Sequence, residues 1–364
     1  MLTNAGGFIL KFIPGLYTQN QNSIVLDEYK WEIFTFCYFV GIGKVIMRST
    51  KIVFSILAVI LSFNLCAQVI DNTSSFKNTG SNRYFRFHYD NDYFTKSDEY
   101  YTQGITLEYV HPGIKKFILS KLLIKPGQKE IIYGISLDHY AYTPTSIASD
   151  VILYNDRPFC GNLSLKTFLI ATGNKQRIAV ALSTGITGPA AGGKEMQTGI
   201  HRWLKNPLPH GWQYQVKNDV ILNYQVKYEQ QLIKYGTAFL LSGMANVQTG
   251  THDDKLGIGF SFMAGNFNSP YGNTKNKKIN YYLYAQPQVS LVGYDAALQG
   301  GLLNHSSPYT ISAKDISRVT FQGDYGLVFE SGKLYLEYCQ SVLTKEFSSG
   351  KLHRWGGVRI GIIF

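Results

Sequence analysis

The sequence predicts an all-β protein: a transmembrane antiparallel β-barrel of about twelve strands, with a short helix in an extracellular loop. Three observations predict it. A secretory leader precedes the mature region, the mature region alternates apolar and polar residues with a period of two, and the chain ends on an aromatic residue, Phe364.

The leader is read at residues 47–67. Arg48 and Lys51 form a basic start, Ile52 to Leu65 an apolar core, and Ala67 a small residue at the expected cut. This is a signal peptide, too short and wrongly flanked for a membrane anchor. Cys66 follows Leu65, a poor setting for a lipoprotein cysteine, so cleavage after Ala67 is expected. Residues 1–46 lack such logic and read as a mis-assigned start or an unstructured extension. Residues 68–364 then form one barrel domain.

The leader and extension hold five of the 35 basic and three of the 24 acidic residues, which leaves 30 against 21. A basic exported chain is drawn to anionic surfaces such as phosphorylated lipid. Export argues against nucleic acid as a partner. Cys160 and Cys339 are the mature cysteines; so widely separated, they form no disulfide framework and are read as unpaired thiols.

No mature segment approaches twenty consecutive apolar residues, which removes helical spans. Strands are expected in order over 82–90, 102–111, 130–139, 160–171, 176–186, 216–231, 235–248, 255–266, 279–292, 317–330, 333–344 and 355–364. In the ninth, Ile279, Tyr281, Leu283, Val289 and Leu291 oppose Asn280, Tyr282, Gln286 and Gln288. In the tenth, Val319, Phe321, Tyr325, Leu327 and Phe329 oppose Thr320, Gln322 and Asp324. The last presents Val358, Ile360, Ile362 and Phe364 outward, with Arg359 inward. Polar-in, apolar-out strands of this length mark an outer-membrane barrel. A soluble sandwich or lipocalin-like barrel shares the alternation but not the leader, the 26 Tyr and 22 Phe, or the C-terminal aromatic.

With both termini in the periplasm, loops after odd-numbered strands face outside. Four unusual clusters border the first three of these loops: Asp90-Asn91-Asp92-Tyr93-Phe94, Asp98 to Gly104, Asp156-Arg157-Pro158-Phe159, and the glycine-rich insert 188–219. They converge on one end of the barrel. Asn91, Asp92 and Thr102 offer hard oxygens of the kind calcium takes, though Asp-Asn-Asp also suits a simple hairpin cap. A helix over 193–205 would put Gln197 and His201 on one face, with Ile200 and Leu204 turned toward barrel or lipid. Such a histidine is either structural or a general base. No Gly-x-Ser-x-Gly elbow and no zinc-ligand spacing occurs.

These residues resemble a known family. Asn91-Asp92, Tyr101-Thr102-x-Gly104, Asp156-Arg157-Pro158-Phe159, Gly188-Pro189-Ala190-Ala191-Gly192-Gly193-x-Glu195-x-Gln197-x-x-x-His201-Arg202 and Gly211-Trp212-x-x-Gln215 are similar to the outer-membrane lipid A 3′-O-deacylases. The resemblance spans most of the mature chain and is sharpest in its first half. It implies a twelve-stranded barrel in the outer membrane, among membrane lipid, and a filled barrel of this size is expected to work as a monomer. The active site would lie between wall and loop helix, facing the extracellular leaflet and hydrolysing the 3′-linked acyloxyacyl ester of lipid A. It implies Ca²⁺ as cofactor, His201 as base, Gln197 orienting water or substrate, and Asp92, Thr102 and Asn91 holding or surrounding the metal. The chain departs from the family at Gln103, where many relatives carry Asn. It also has no carboxylate in Trp203–Pro207 and no Lys or Arg in 140–155. A phospholipase-type barrel and a non-catalytic pore share the same features and stand as alternatives.

Overall fold

The computed structural model describes residues 71–95, 99–128, 130–272 and 278–364. The expected extension 1–46, the expected signal peptide 47–67 and Asp98 lie outside the described residues. The chain divides into two units, Met1–Asn64 and Leu65–Phe364, and all described residues belong to the second.

Twelve strands form a closed antiparallel barrel. They are β1 (Tyr84–Asn91), β2 (Tyr101–Val110), β3 (Glu130–Tyr142), β4 (Cys160–Gly173), β5 (Gln176–Thr187) and β6 (Asp219–Tyr235). β7 (Phe239–Gly250), β8 (Asp253–Asn266), β9 (Ile279–Asp295), β10 (Val319–Ser331), β11 (Leu334–Leu343) and β12 (His353–Ile363) complete it. Closure comes from β1 on β12, where Phe85 faces Ile362 and Asn91 faces Gly356. Among the described residues no barrel strand has an unpaired edge, the condition for backbone to sit in lipid. All twelve expected strands are present, with ends displaced by a few residues.

The alternation decides which side each residue meets. Phe85, Phe87, Leu107, Tyr109, Leu137, Leu283, Leu327, Phe329, Ile360 and Ile362 point outward and are exposed. A belt so apolar is stable only against lipid. Inward residues are charged and paired: Arg86 with Glu108 at 2.5 Å, Arg359 with Glu337 at 2.8 Å, Lys166 with Asp138 at 3.0 Å. Breaking one side of such a pair typically costs about 3–5 kcal/mol, so inward charge also fixes register. Cys160 and Cys339 are buried and free.

Both ends of the lumen are filled. At the short-turn end, residues 71–79 fold up into the barrel. Lys227 donates to Asp71 (2.9 Å), the Ser75 amide to Glu229 (3.2 Å), and Arg86 to the Lys77 carbonyl (2.6 Å). Phe76 stacks on Tyr284 with ring centres 3.7 Å apart. At the long-loop end, Arg157 pairs with Glu346 and lies 4.2 Å from the Tyr142 ring. Lys255 there bridges Asp253 (2.6 Å) and Asp295 (3.1 Å). A polar cavity of about 170 Å³ remains between these closures.

Candidate active site

One row of the wall carries the site. Gly161 of β4 faces Ala141 of β3, and Ala141 faces Gln103 of β2. Directly opposed residues share a side, and this row points outward. The helix α1 (Gly193–Leu204) lies along it. The Gly161 and Gly193 backbones pack so closely that a Cβ on Gly161 would sit 3.2 Å from the Gly193 nitrogen. A Cβ on Gly193 would sit 2.8 Å from the Trp212 ring. Gly188 (φ 95°) and Gly192 (φ 76°) turn the chain into the helix through left-handed conformations. The glycines therefore serve close packing on the outer wall as well as bending.

From this seat Gln197 reaches the barrel. Its Nε2 donates to Thr102 Oγ1 at 3.5 Å, and its Oε1 accepts the Trp212 indole N–H at 2.6 Å. Thr102 occupies a bulge between Tyr101 and Gln103 and shares a hydrogen with Thr143 (2.7 Å). Tyr100 precedes it with φ 71°, a conformation that costs a non-glycine residue about 1 kcal/mol or more. The Tyr100 hydroxyl accepts the Lys351 amide (3.1 Å), and burial pushes that hydroxyl up to about 12.

Asn91 ends β1 facing outward and donates through Nδ2 to the Thr102 carbonyl. Its Oδ1 accepts the Tyr93 amide (2.7 Å), beginning a 3₁₀ turn over Asp92–Thr95. The hairpin-cap reading of Asp-Asn-Asp is thus correct for Asn91. It does not compete with a ligand role, because an amide oxygen has two lone pairs. Asp92 is 4 % exposed, Thr102 9 % and Gln197 2 %, so all three are buried, with Gln197 and Thr102 meeting where the helix lies on the wall.

His201 is half-buried four residues beyond Gln197. Its Nδ1 lies 2.6 Å from the Pro207 carbonyl oxygen. A carbonyl can only accept, so Nδ1 carries the hydrogen and Nε2 holds the lone pair. The helix ends at Lys205 (φ 58°), and the Asn206 amide returns to the His201 carbonyl (2.8 Å).

The structure brings Asn91, Thr102 and Gln197 into one hydrogen-bonded chain, with Asp92 adjacent in sequence to Asn91 and His201 one helical turn from Gln197. Arg157, from the third of the unusual sequence clusters, is buried in the barrel mouth against Glu346. Lys194, Arg202 and Lys205 are exposed on α1 and its cap. Two positioning residues escaped the sequence. Thr143 braces Thr102, and His139 Nε2 holds the Ala191 carbonyl at 3.1 Å. Only the outward phase of His139 on β3 hinted at this.

The donor atoms fit a hard cation. Asp92 supplies a carboxylate, Asn91 an amide oxygen, and Thr102 a hydroxyl and a carbonyl, with no sulfur or imidazole among them, while Gln197 turns its nitrogen to Thr102 and its oxygen to Trp212. Among the described residues no three His, Cys, Asp or Glu gather as a metal site. The set named here has one carboxylate, that of Asp92, among neutral oxygens.

Fold and site together define an outer-membrane barrel with a helix clamped on its outer wall. The family model described as "Outer membrane protein LpxR" matches residues 53–364, and the chain belongs to that family. The resemblance to the lipid A deacylases is borne out. The structure is similar to LpxR from Salmonella typhimurium, with a TM-score of 0.65 at 19 % identity, over 77 % of this chain and 100 % of that one. The β domain of the Bordetella autotransporter BrkA matches at TM-score 0.37 and 8 % identity, over 77 % and 97 % of the two chains. No curated protein matches the sequence.

Proposed function

We propose that the chain is a calcium-dependent lipid A deacylase that hydrolyses the 3′-linked acyloxyacyl ester from the extracellular leaflet. The observation that carries this reading is the bond from His201 to the Pro207 carbonyl, which leaves the Nε2 lone pair free to act as a base one helical turn from Gln197. Membership of the LpxR family supports the substrate class. Lipid enters laterally, because the groove is on the outer wall and not in the lumen.

His201 Nε2 takes a proton from water as the water oxygen bonds to the ester carbonyl carbon. The tetrahedral adduct then collapses. The carbon–oxygen bond to the sugar breaks, and the imidazolium returns the proton to the departing 3′ oxygen. A free acid and a 3′-hydroxyl result. Gln197, fixed at its oxygen by Trp212, holds water or substrate beside the base. Asp92, Thr102 and Asn91 would hold calcium, which when bound polarises the ester carbonyl and offsets negative charge on its oxygen. Lys194, Arg202 and Lys205 meet the lipid A phosphates. The protein acts as a monomer, its site being complete within one chain.

Mass spectrometry of lipid A from cells producing the mature protein tests the reading against a His201→Ala control. Loss of the 3′ acyloxyacyl mass is expected only with His201 and calcium, and the variant should be slower by about 10²–10⁴-fold. Undiminished deacylation by a folded His201→Ala barrel would sink the mechanism. Unchanged lipid A with folded wild-type protein and calcium present would sink the substrate assignment.

A further inference from the structure

The helix α1 has an apolar flank that the reaction does not use. At 100° per residue, Gly193, Gln197 and Leu204 share the arc turned to the wall. Two flanks remain. One carries Lys194, Thr198, His201 and Arg202, the other Met196, Ile200 and Trp203. The first flank faces the long-loop end. Its His201 is capped by Pro207, and that return segment is pinned to the β3–β4 loop through the His210 amide and the Ile147 carbonyl (2.8 Å). The second flank therefore faces the middle of the barrel, where the outward apolar residues of β1, β2 and β3 begin. On this flank and its edge, Trp203 is 82 % exposed and Leu204 52 %.

We infer that the Trp203–Leu204 tip of α1 is a membrane-interface anchor whose occupant is the acyl-chain layer of the surrounding leaflet. The tip continues the apolar belt that the strands already present to lipid, so one surface covers both. Tryptophan favours this depth because its ring is apolar while its N–H still reaches water or headgroups. The cationic flank on the opposite side is oriented for headgroup phosphates. A helix built this way sits at the boundary with its base and its amide at the level where acyl chains join sugar. The inference rests on the barrel spanning a membrane and not on the reaction proposed above.

Trp203 can be observed separately, because Trp212 and Trp355, the other tryptophans of the mature chain, are each 1 % exposed. The mature protein and its Trp203→Phe variant are refolded into phosphatidylcholine vesicles, plain or brominated high on the acyl chains. Folding is verified by the gel-mobility shift of an unheated barrel. The emission difference between the two proteins belongs to Trp203. Expected is loss of most of that difference in brominated vesicles, with little quenching by aqueous iodide. Iodide quenching without bromine quenching would put the tip in water and overturn the inference. Insensitivity to both would mean a protein surface covers it, such as a second copy, and would overturn it equally.

Discussion

Gln197 uses both ends of its side chain: the oxygen takes the Trp212 indole N–H, and the nitrogen reaches Thr102. A free glutamine could point either way; this one is set by a donor-only partner. Trp212→Phe keeps the ring and removes the N–H, a bond worth about 1 kcal/mol. Deacylation is expected to slow several-fold while the barrel's melting temperature stays within a few degrees; unchanged turnover under saturating substrate would show that Gln197 needs no orientation. Asp92 carries the second argument at this scale. With one carboxylate among neutral oxygens, calcium affinity should be weak, on the order of 10⁻⁴–10⁻³ M as in low-charge extracellular sites. Chelation should therefore silence the enzyme readily. Asp92→Asn should raise the calcium concentration needed for half-maximal rate by tenfold or so, about 1.4 kcal/mol. A rate indifferent to chelator would remove the metal from the mechanism.

At the scale of the element, α1 contains two glycines with opposite meanings. Alanine is better than glycine inside a helix by about 1 kcal/mol. At Gly199 an added Cβ meets nothing within 4 Å, so Gly199→Ala should stabilise the helix and leave activity intact. At Gly193 the same Cβ meets the Trp212 ring at 2.8 Å and the Gly161 Cα at 3.2 Å. Gly193→Ala should therefore push the helix off the wall and lower the rate at least tenfold, despite the better propensity. Parallel assays of the two variants check this, and equal activities would show that the seat on Gly161 is unimportant. A helix over 193–205 was an expectation of the sequence, and the observed helix Gly193–Leu204 puts Gln197 and His201 one turn apart as that expectation required. Its seat was not legible. Which wall residues lie under Gly193 depends on the β2–β3–β4 register, fixed by pairings such as Ala141 with Gly161 that no local pattern encodes. The roles of Gly193 as a contact surface and of Thr143 as a brace follow from that register alone.

The whole molecule depends on closure of the ladder and on what fills it. Strand number and the inward or outward phase of each strand were readable because the period of two is local, and lipid enforces it on every strand. The plug was not readable. Asn72 to Thr79 is a polar stretch with one aromatic, indistinguishable from a linker until Phe76 is seen on Tyr284 and the Ser75 amide on Glu229. This segment decides between an enzyme barrel and a pore. Residues 71–79 add no strand to the ladder, so their deletion leaves the twelve pairings whole. Arg86 would keep Glu108 at 2.5 Å and Lys227 would keep Glu229 at 3.5 Å, so neither cation is stranded in the lumen. At the far mouth Arg157 sits on Glu346 and Lys255 between Asp253 and Asp295. Ion pairs of that kind rearrange far more readily than a threaded backbone. In planar bilayers the intact protein should give no sustained current. The deletion should give discrete openings, more frequent at high salt, where the mouth's ion pairs are screened. A steady conductance from the intact protein would instead show the lumen to be a transport path, and the pore reading would displace the enzyme.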